Sequence, residues 1–124
     1  DHAENIADFA KSIIEREIFL DEDTAYELDG LYALVQKGFA LSIDALSTGD
    51  QNKVQEAIQI ERDIDKLKIE VRDKYMKRMN KGIASAESGI FVMDLLSNLE
   101  RVSDHFRNIS ETVERLKRPV IVTE

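Results

Sequence analysis

Two pairs of carboxylates stand out among the residues that could carry chemistry. Glu61 and Asp65 are four residues apart, and Glu100 and Asp104 repeat that spacing. On a helix, side chains at this spacing lie on one face, about 6 Å apart at Cβ, so each pair could share a cation. Hard or borderline metal cations with oxygen ligands suit such a site. Asn108 lies one turn beyond Asp104 and could add an amide oxygen.

The spacing alone does not distinguish a site from a solvated acidic face. With 25 acidic residues in 124, about five acidic pairs at this spacing are expected by chance, and five are present. Placement favours a site, because both pairs flank an apolar seam on consecutive helices, at similar distances from the turn at Gly82. The four carboxylates are therefore expected to converge, where they would repel one another unless cations neutralised them. A solvated acidic face is the alternative.

The two histidines add little to this picture. His2 and His105 each follow an aspartate, but a helical wheel directs His105 away from Glu100 and Asp104, which favours a hydrogen bond over metal ligation. Val102 precedes His105 by three residues, so the Glu-x-x-His pattern of di-iron carboxylate enzymes is missing. The sequence offers no Gly-rich phosphate loop, nucleophile elbow or poised acid-base pair. It predicts a protein that is not an enzyme.

Composition excludes several further classes of protein. The formal net charge of −8 opposes binding to nucleic acids and anionic membrane surfaces. Because the chain has no cysteine, it has neither thiolate metal sites nor disulfides. No apolar run approaches the roughly 18 residues of a membrane span. Any membrane part of a parent protein is expected outside this chain.

The elements that must position the acidic pairs are helices. Capping residues and apolar periodicity predict one helix from Asp21 to Thr48, a second from Asp50 to Asn80, and a third from Ser85 to just before Pro119. Their predicted core seams are spaced by threes and fours. The seams comprise Leu28, Leu31, Val35, Phe39, Ile43 and Leu46; Ala57, Ile60, Ile64, Leu67, Val71 and Tyr75; and Val92, Leu95, Leu99, Val102, Phe106, Ile109, Val113 and Leu116.

Short connections between long helices predict an antiparallel up-down three-helix bundle in an all-α fold. Residues 1 to about 18 predict an additional N-terminal helix, which makes four in all. Asp1 to Asp8 match Asp104 to Glu111 in the pattern Asp-His-x-x-Asn-Ile. We therefore predict that residues 1–20 end a preceding, truncated repeat, that residues 21–118 form a complete repeat, and that residues 119–124 are a tail.

The segment Leu99 to His105, followed by Asn108 to Glu111, resembles the signature of PhoU-like proteins, and Asp1 to Ala7 resemble the same signature ending an earlier copy. Family members carry two three-helix repeats, with an acidic motif on the second and third helices of each. The segment Glu61 to Asp65 falls where the second-helix motif belongs. The resemblance implies a multinuclear iron or zinc cluster at the bundle surface, with Glu61, Asp65, Glu100 and Asp104 as ligands and Asn108 and Asp1 as further candidates.

Two positions depart from the family pattern. Ser103 replaces the more usual glycine before the motif aspartate. Phe106 and Arg107 replace the small and acidic residues found after His2. Because the acidic helices of the first repeat are absent, only the second site is expected to be complete.

Three further segments resemble the PhoU-like domain that follows the membrane part of bacterial sodium/phosphate cotransporters: Arg78 to Gly82, Glu87 to Gly89 and Asp94 to Arg101. This resemblance implies a regulatory domain in phosphate homeostasis, at the cytoplasmic face of the bacterial inner membrane, with the transporter's membrane part as partner. Inorganic phosphate and a second copy of the chain remain open as partners. The alternatives are a free-standing regulator of phosphate uptake and a metal-free helical interaction module.

Overall fold

The computed structural model describes residues 20–116, which form three helices and contain no strand. They are α1 (Glu22–Thr48), α2 (Gln51–Asn80) and α3 (Ala86–Leu116). Each helix packs against the other two. The all-α three-helix prediction is confirmed with helix bounds close to those expected. The predicted helix in residues 1–20 falls almost entirely outside the described residues, as does the predicted tail over 119–124.

The predicted N-terminal caps are present. Asp21 accepts hydrogen bonds from the backbone N–H of Thr24 at 3.0 Å and from its hydroxyl at 2.6 Å. Asp50 accepts from N–H groups in the first turn of α2. The Ser85 hydroxyl accepts from the N–H of Ser88 at 3.0 Å. These side chains satisfy donors that have no partner within the helix, so each helix begins where its capping residue stands.

Glycine residues with positive φ end α1 and α2. Gly49 has φ 71° and Gly82 has φ 75°, a region that L-residues with a Cβ rarely adopt. The Gly82 N–H donates to the carbonyl of Met79 at 3.0 Å, and the Ile83 N–H donates to the carbonyl of Arg78 at 2.9 Å. This pair of bonds is the Schellman motif. It turns the chain sharply after α2, so that α3 can return antiparallel.

Most predicted seam residues are buried. The main core is shared by all three helices and comprises Leu28, Leu31, Val35, Ile60, Ile64, Val71, Tyr75, Val92, Leu95, Leu96, Leu99, Val102 and Phe106. Two seam assignments are wrong, since Ile43 and Leu116 are exposed. In the second half of α1 the buried positions are instead Gly38, Ser42 and Ala45. Small residues there let α1 approach its neighbours closely. The positions of these small residues are therefore buried, and the large side chain of Ile43 is exposed.

One polar cluster joins the start of α1 to the end of α2. Arg78 donates to the Thr24 hydroxyl at 2.9 Å, forms a hydrogen-bonded ion pair with Glu27, and lies 3.7 Å from Asp21. The Arg78 and Glu27 side chains are only 16% and 14% exposed. Nearby, the hydroxyl of buried Tyr75 donates to the Ser85 carbonyl at 2.9 Å. These bonds hold the beginning of α1 and the α2–α3 turn at the same end of the bundle.

None of the helices in residues 20–116 combines the length and apolar character of a membrane span.

Candidate functional site

The predicted acidic motifs lie at the interface of α2 and α3. Glu61 and Asp65 are on α2, while Glu100 and Asp104 are on α3. Because the two helices run antiparallel, the motifs approach each other from opposite directions along one interface. Two basic residues pair with these carboxylates: Arg107 on α3 contacts Glu61 and Asp104, and Lys68 on α2 contacts Glu100.

Arg107 bridges carboxylates from both helices. Its Nη1 donates to Oε1 of Glu61 on α2 at 3.3 Å. Its Nη2 lies 3.2 Å from Oδ1 of Asp104, one turn earlier on α3. The planar guanidinium has donors arranged in a fork, so one cation can contact two carboxylates at once. Arg107 therefore brings a positive charge to carboxylates of both helices.

Glu61 is the most enclosed member of the group, with a side chain only 7% exposed. Burial raises the pKa of the Glu61 carboxyl above its ordinary value, and the Asp65 charge, a hydrogen bond with Asp65 and the Asp104 charge raise it further. The positive charge of Arg107 opposes this rise. Three acidic side chains are thus close enough to influence one another, and Arg107 partly compensates their repulsion.

Glu100 is paired separately. Its carboxylate lies 3.0 Å from Nζ of Lys68, whose side chain is 17% exposed. Lys68 follows Glu61 by about two helical turns, and Glu100 precedes Arg107 by the same interval. The two ion pairs therefore belong to one antiparallel register. The acid is on α2 in the first pair and on α3 in the second.

The structure brings Glu61, Asp65 and Asp104 together and places Glu100 with Lys68. Asn108 and His105 are exposed on α3, and Asp1 lies outside the described residues.

Among residues 20–116, no three or more histidine, aspartate or glutamate side chains are placed to hold a metal ion. With Arg107 and Lys68 among the carboxylates, this arrangement does not fit a multinuclear iron or zinc cluster. Metal ligation by Glu61, Asp65, Glu100 and Asp104 stays a prediction.

Sequence reasoning noted Arg107 only as a departure from the family pattern and did not single out Lys68. A signal for both was available in the spacing. Arg107 follows Asp104 by three residues and Lys68 follows Asp65 by three, so each base lies on the same helical face as a motif aspartate. Which carboxylates they would contact depends on the register between the helices, which the sequence pattern does not specify.

The fold and the acidic interface together define an antiparallel three-helix domain with paired acidic motifs on two adjacent helices. A family model described as the PhoU domain matches residues 28–113, which takes in most of all three helices. The chain belongs to the PhoU domain family. No curated protein and no solved structure gives a significant match. The resemblance in the Leu99 to Glu111 signature is thus confirmed at the level of the family, and membership indicates a role in regulating phosphate homeostasis.

Proposed function

We propose that this chain is a non-enzymatic regulatory domain of phosphate homeostasis that acts on a phosphate transporter at the cytoplasmic face of the bacterial inner membrane. The observation that carries the proposal is the PhoU domain match over residues 28–113. The helical fold supports it, since three long helices packed on a common core form the bundle expected of a PhoU domain. The proposed partner is the membrane part of a sodium/phosphate cotransporter, because three sequence segments resemble the PhoU-like domain of those proteins.

A free-standing regulator of phosphate uptake is the alternative within the same family. The two differ in whether the domain and the membrane spans belong to one polypeptide. In either case the domain is proposed to act through contacts with another protein surface. The charge of −8 favours a basic partner surface over a nucleic acid.

The group formed by Glu61, Asp65, Glu100, Asp104, Lys68 and Arg107 is a poor direct receptor for phosphate. Its four carboxylates outnumber its two basic side chains, so an anion would meet net negative charge. We therefore propose that the domain influences phosphate transport through a protein partner.

The test is phosphate uptake in cells that carry the full-length gene with Asp65→Asn and Asp104→Asn at its own locus. The matched control is Asp63→Asn with Glu111→Gln, which changes two exposed acids on the same two helices. We expect uptake at high external phosphate to change in the first strain and to stay at the wild-type level in the control. Wild-type uptake, together with unchanged cellular phosphate, in a strain lacking residues 20–116 would refute the regulatory function.

Metal binding is measured separately, as the metal content of the purified chain beside an Asp65→Ala/Asp104→Ala variant. Equal metal content in the two proteins would show that Asp65 and Asp104 are not metal ligands. The uptake experiment does not depend on this result, because the proposed regulation rests on the family and the fold.

A further inference from the structure

The two ion pairs across the α2–α3 interface share one antiparallel register of the helices. Glu61 on α2 meets Arg107 on α3 at 3.3 Å, and Lys68 on α2 meets Glu100 on α3 at 3.0 Å. The order of acid and base is reversed between the two pairs. A shift of one helix along the other would break both pairs together, so the register of the helices and the neutralisation of the acidic motifs are linked.

Burial makes this neutralisation necessary. The Glu61 side chain is 7% exposed, and a carboxylate that loses its water shell is stable only if it is paired or protonated. Lys68 is 17% exposed, and its ammonium likewise needs the Glu100 carboxylate. Arg107 is 39% exposed, so its guanidinium reaches Glu61 from the bundle surface. These basic side chains provide locally the positive charge that a bound cation would otherwise supply.

A metal ion at Glu61 and Asp104 would have to compete with Arg107. Arg107 already contacts one oxygen of each of these carboxylates. Displacing it would leave a guanidinium beside the incoming metal, and two positive charges at such short range repel. The affinity of this interface for metal cations is therefore lowered twice, by loss of the ion pairs and by repulsion.

The sequence contains an internal comparison for this position. The segment Asp1-His2-Ala3-Glu4, which resembles the motif around Asp104, has a glutamate where Asp104-His105-Phe106-Arg107 has an arginine. The two segments thus carry opposite charges at this position. In the structure that site is the one that contacts two motif carboxylates.

We propose that Arg107 and Lys68 are built-in counter-ions that partly neutralise the acidic motifs in place of a metal and lower their affinity for divalent cations. Arg107 is the counter-ion of Glu61 and Asp104, and Lys68 is the counter-ion of Glu100. The interface thereby supplies part of its own counter-charge and remains net negative. The cation preference of the interface is independent of the proposed role in phosphate transport.

The test is titration of the purified, metal-free chain with Zn²⁺ and with Mn²⁺ by isothermal calorimetry. The test variant is Lys68→Gln/Arg107→Gln. The matched control is Lys66→Gln/Arg101→Gln, which removes the same two charges from exposed positions on the same helices. We expect the test variant to bind metal about fivefold or more tightly than wild type, from removal of charge competition at the site. The control should tighten binding far less.

Two further measurements keep the outcome decisive. Adding Asp65→Ala and Asp104→Ala to the test variant should abolish the gained affinity. In metal-free buffer the test variant should melt below the control, and Zn²⁺ should recover the difference. If the double substitution does not fold, Arg107→Gln against Arg101→Gln repeats the comparison. Equal affinities in test and control variants would overturn the proposal, as would tight multi-site metal binding by the wild-type chain.

Discussion

The ring of Phe106 on α3 fills the space beside Gly38 on α1 that a Cβ at position 38 would need. A Cβ added at Gly38 would lie 2.7 Å from Cζ of Phe106 and 3.0 Å from Cγ2 of Ile60. Phe106 is fully buried, so its ring has no free volume into which it can withdraw. The aromatic residue on α3 therefore requires the absence of a side chain on α1.

We predict that Gly38→Ala destabilises the protein by about 1 to 3 kcal/mol, because overpacking outweighs the better helix propensity of alanine. Urea denaturation followed by circular dichroism measures the change. A second substitution, Phe106→Leu, should recover part of the loss in the Gly38→Ala background. The two effects would then be non-additive, as expected for residues in direct contact.

Gly30 on the same helix provides the control, because nothing lies within 4 Å of a Cβ added there. Gly30→Ala should stabilise the protein by roughly 0.5 to 1 kcal/mol through the lower backbone entropy of the unfolded chain. If both alanine substitutions change stability in the same direction, the close fit of Gly38 and Phe106 is not a determinant of the fold.

The second prediction concerns Arg78, which joins the end of α2 to the start of α1. Arg78→Met keeps much of the side-chain volume but leaves the Glu27 carboxylate without its ion pair in a largely buried position. One Glu27 oxygen, Oε2, is buried and has no hydrogen-bond partner even with Arg78 present. We expect a loss of about 3 to 5 kcal/mol in the free energy of unfolding, as for other buried ion pairs broken from one side.

Lys37→Met is the matched control for Arg78→Met. Lys37 pairs with Glu56 at 3.8 Å, and the two side chains are 62% and 53% exposed. Exposed ion pairs contribute below about 1 kcal/mol, so this substitution should change stability little. A cost for Arg78→Met no larger than that for Lys37→Met would show that the cluster around Arg78 is not a structural tie between α1 and α2.

The third prediction is a pH dependence at the N-cap of α1. Burial alone would raise the pKa of Asp21, but hydrogen bonds from Thr24 and the charge of Arg78 outweigh it and hold the pKa below its ordinary value of 3.8. Since the pKa is lowered in the folded state, the carboxylate contributes stability that is present above pH 3.8 and is lost as the pH falls through the folded-state pKa.

Asp21→Asn removes the charge and retains an oxygen that can cap the helix. We expect the wild type to be more stable than this variant near neutral pH, and the difference to shrink as the pH falls below 3.8 and through the lowered folded-state pKa of Asp21. Urea unfolding at several pH values measures it. Asp29→Asn, at an exposed position of α1, controls for the loss of one negative charge. A stability difference that is constant with pH would contradict the assigned role of Asp21.

Local rules predicted the helices well because their determinants are local. Asp21, Asp50 and Ser85 cap the helices as expected, and Gly82 adopts positive φ at the end of α2. Capping bonds join residues two or three apart, so the sequence alone contains both partners. Core positions at the centre of each seam were predicted for the same reason, since helical periodicity repeats every few residues.

Prediction was weaker where two helices meet. Ile43 is exposed because α1 presents small residues in its second half and approaches its neighbours along Gly38, Ser42 and Ala45. Helical periodicity predicted burial from the positions of large apolar residues, and it did not consider small residues as buried positions. The distance between helices, which decides between the two lines, is a property of the packed bundle.

By itself, the sequence determined the helical class, the helix bounds and the positions of the carboxylate pairs Glu61/Asp65 and Glu100/Asp104. Its match over residues 28–113 also shows membership of the PhoU domain family. Only the tertiary structure decided what those carboxylates contact. Glu61 meets Arg107 and Glu100 meets Lys68 because the antiparallel register sets acid against base across the α2–α3 interface. Spacing along one helix specifies which side chains share a face. The charge that they meet depends on a second helix, whose position is fixed by the burial of the common core.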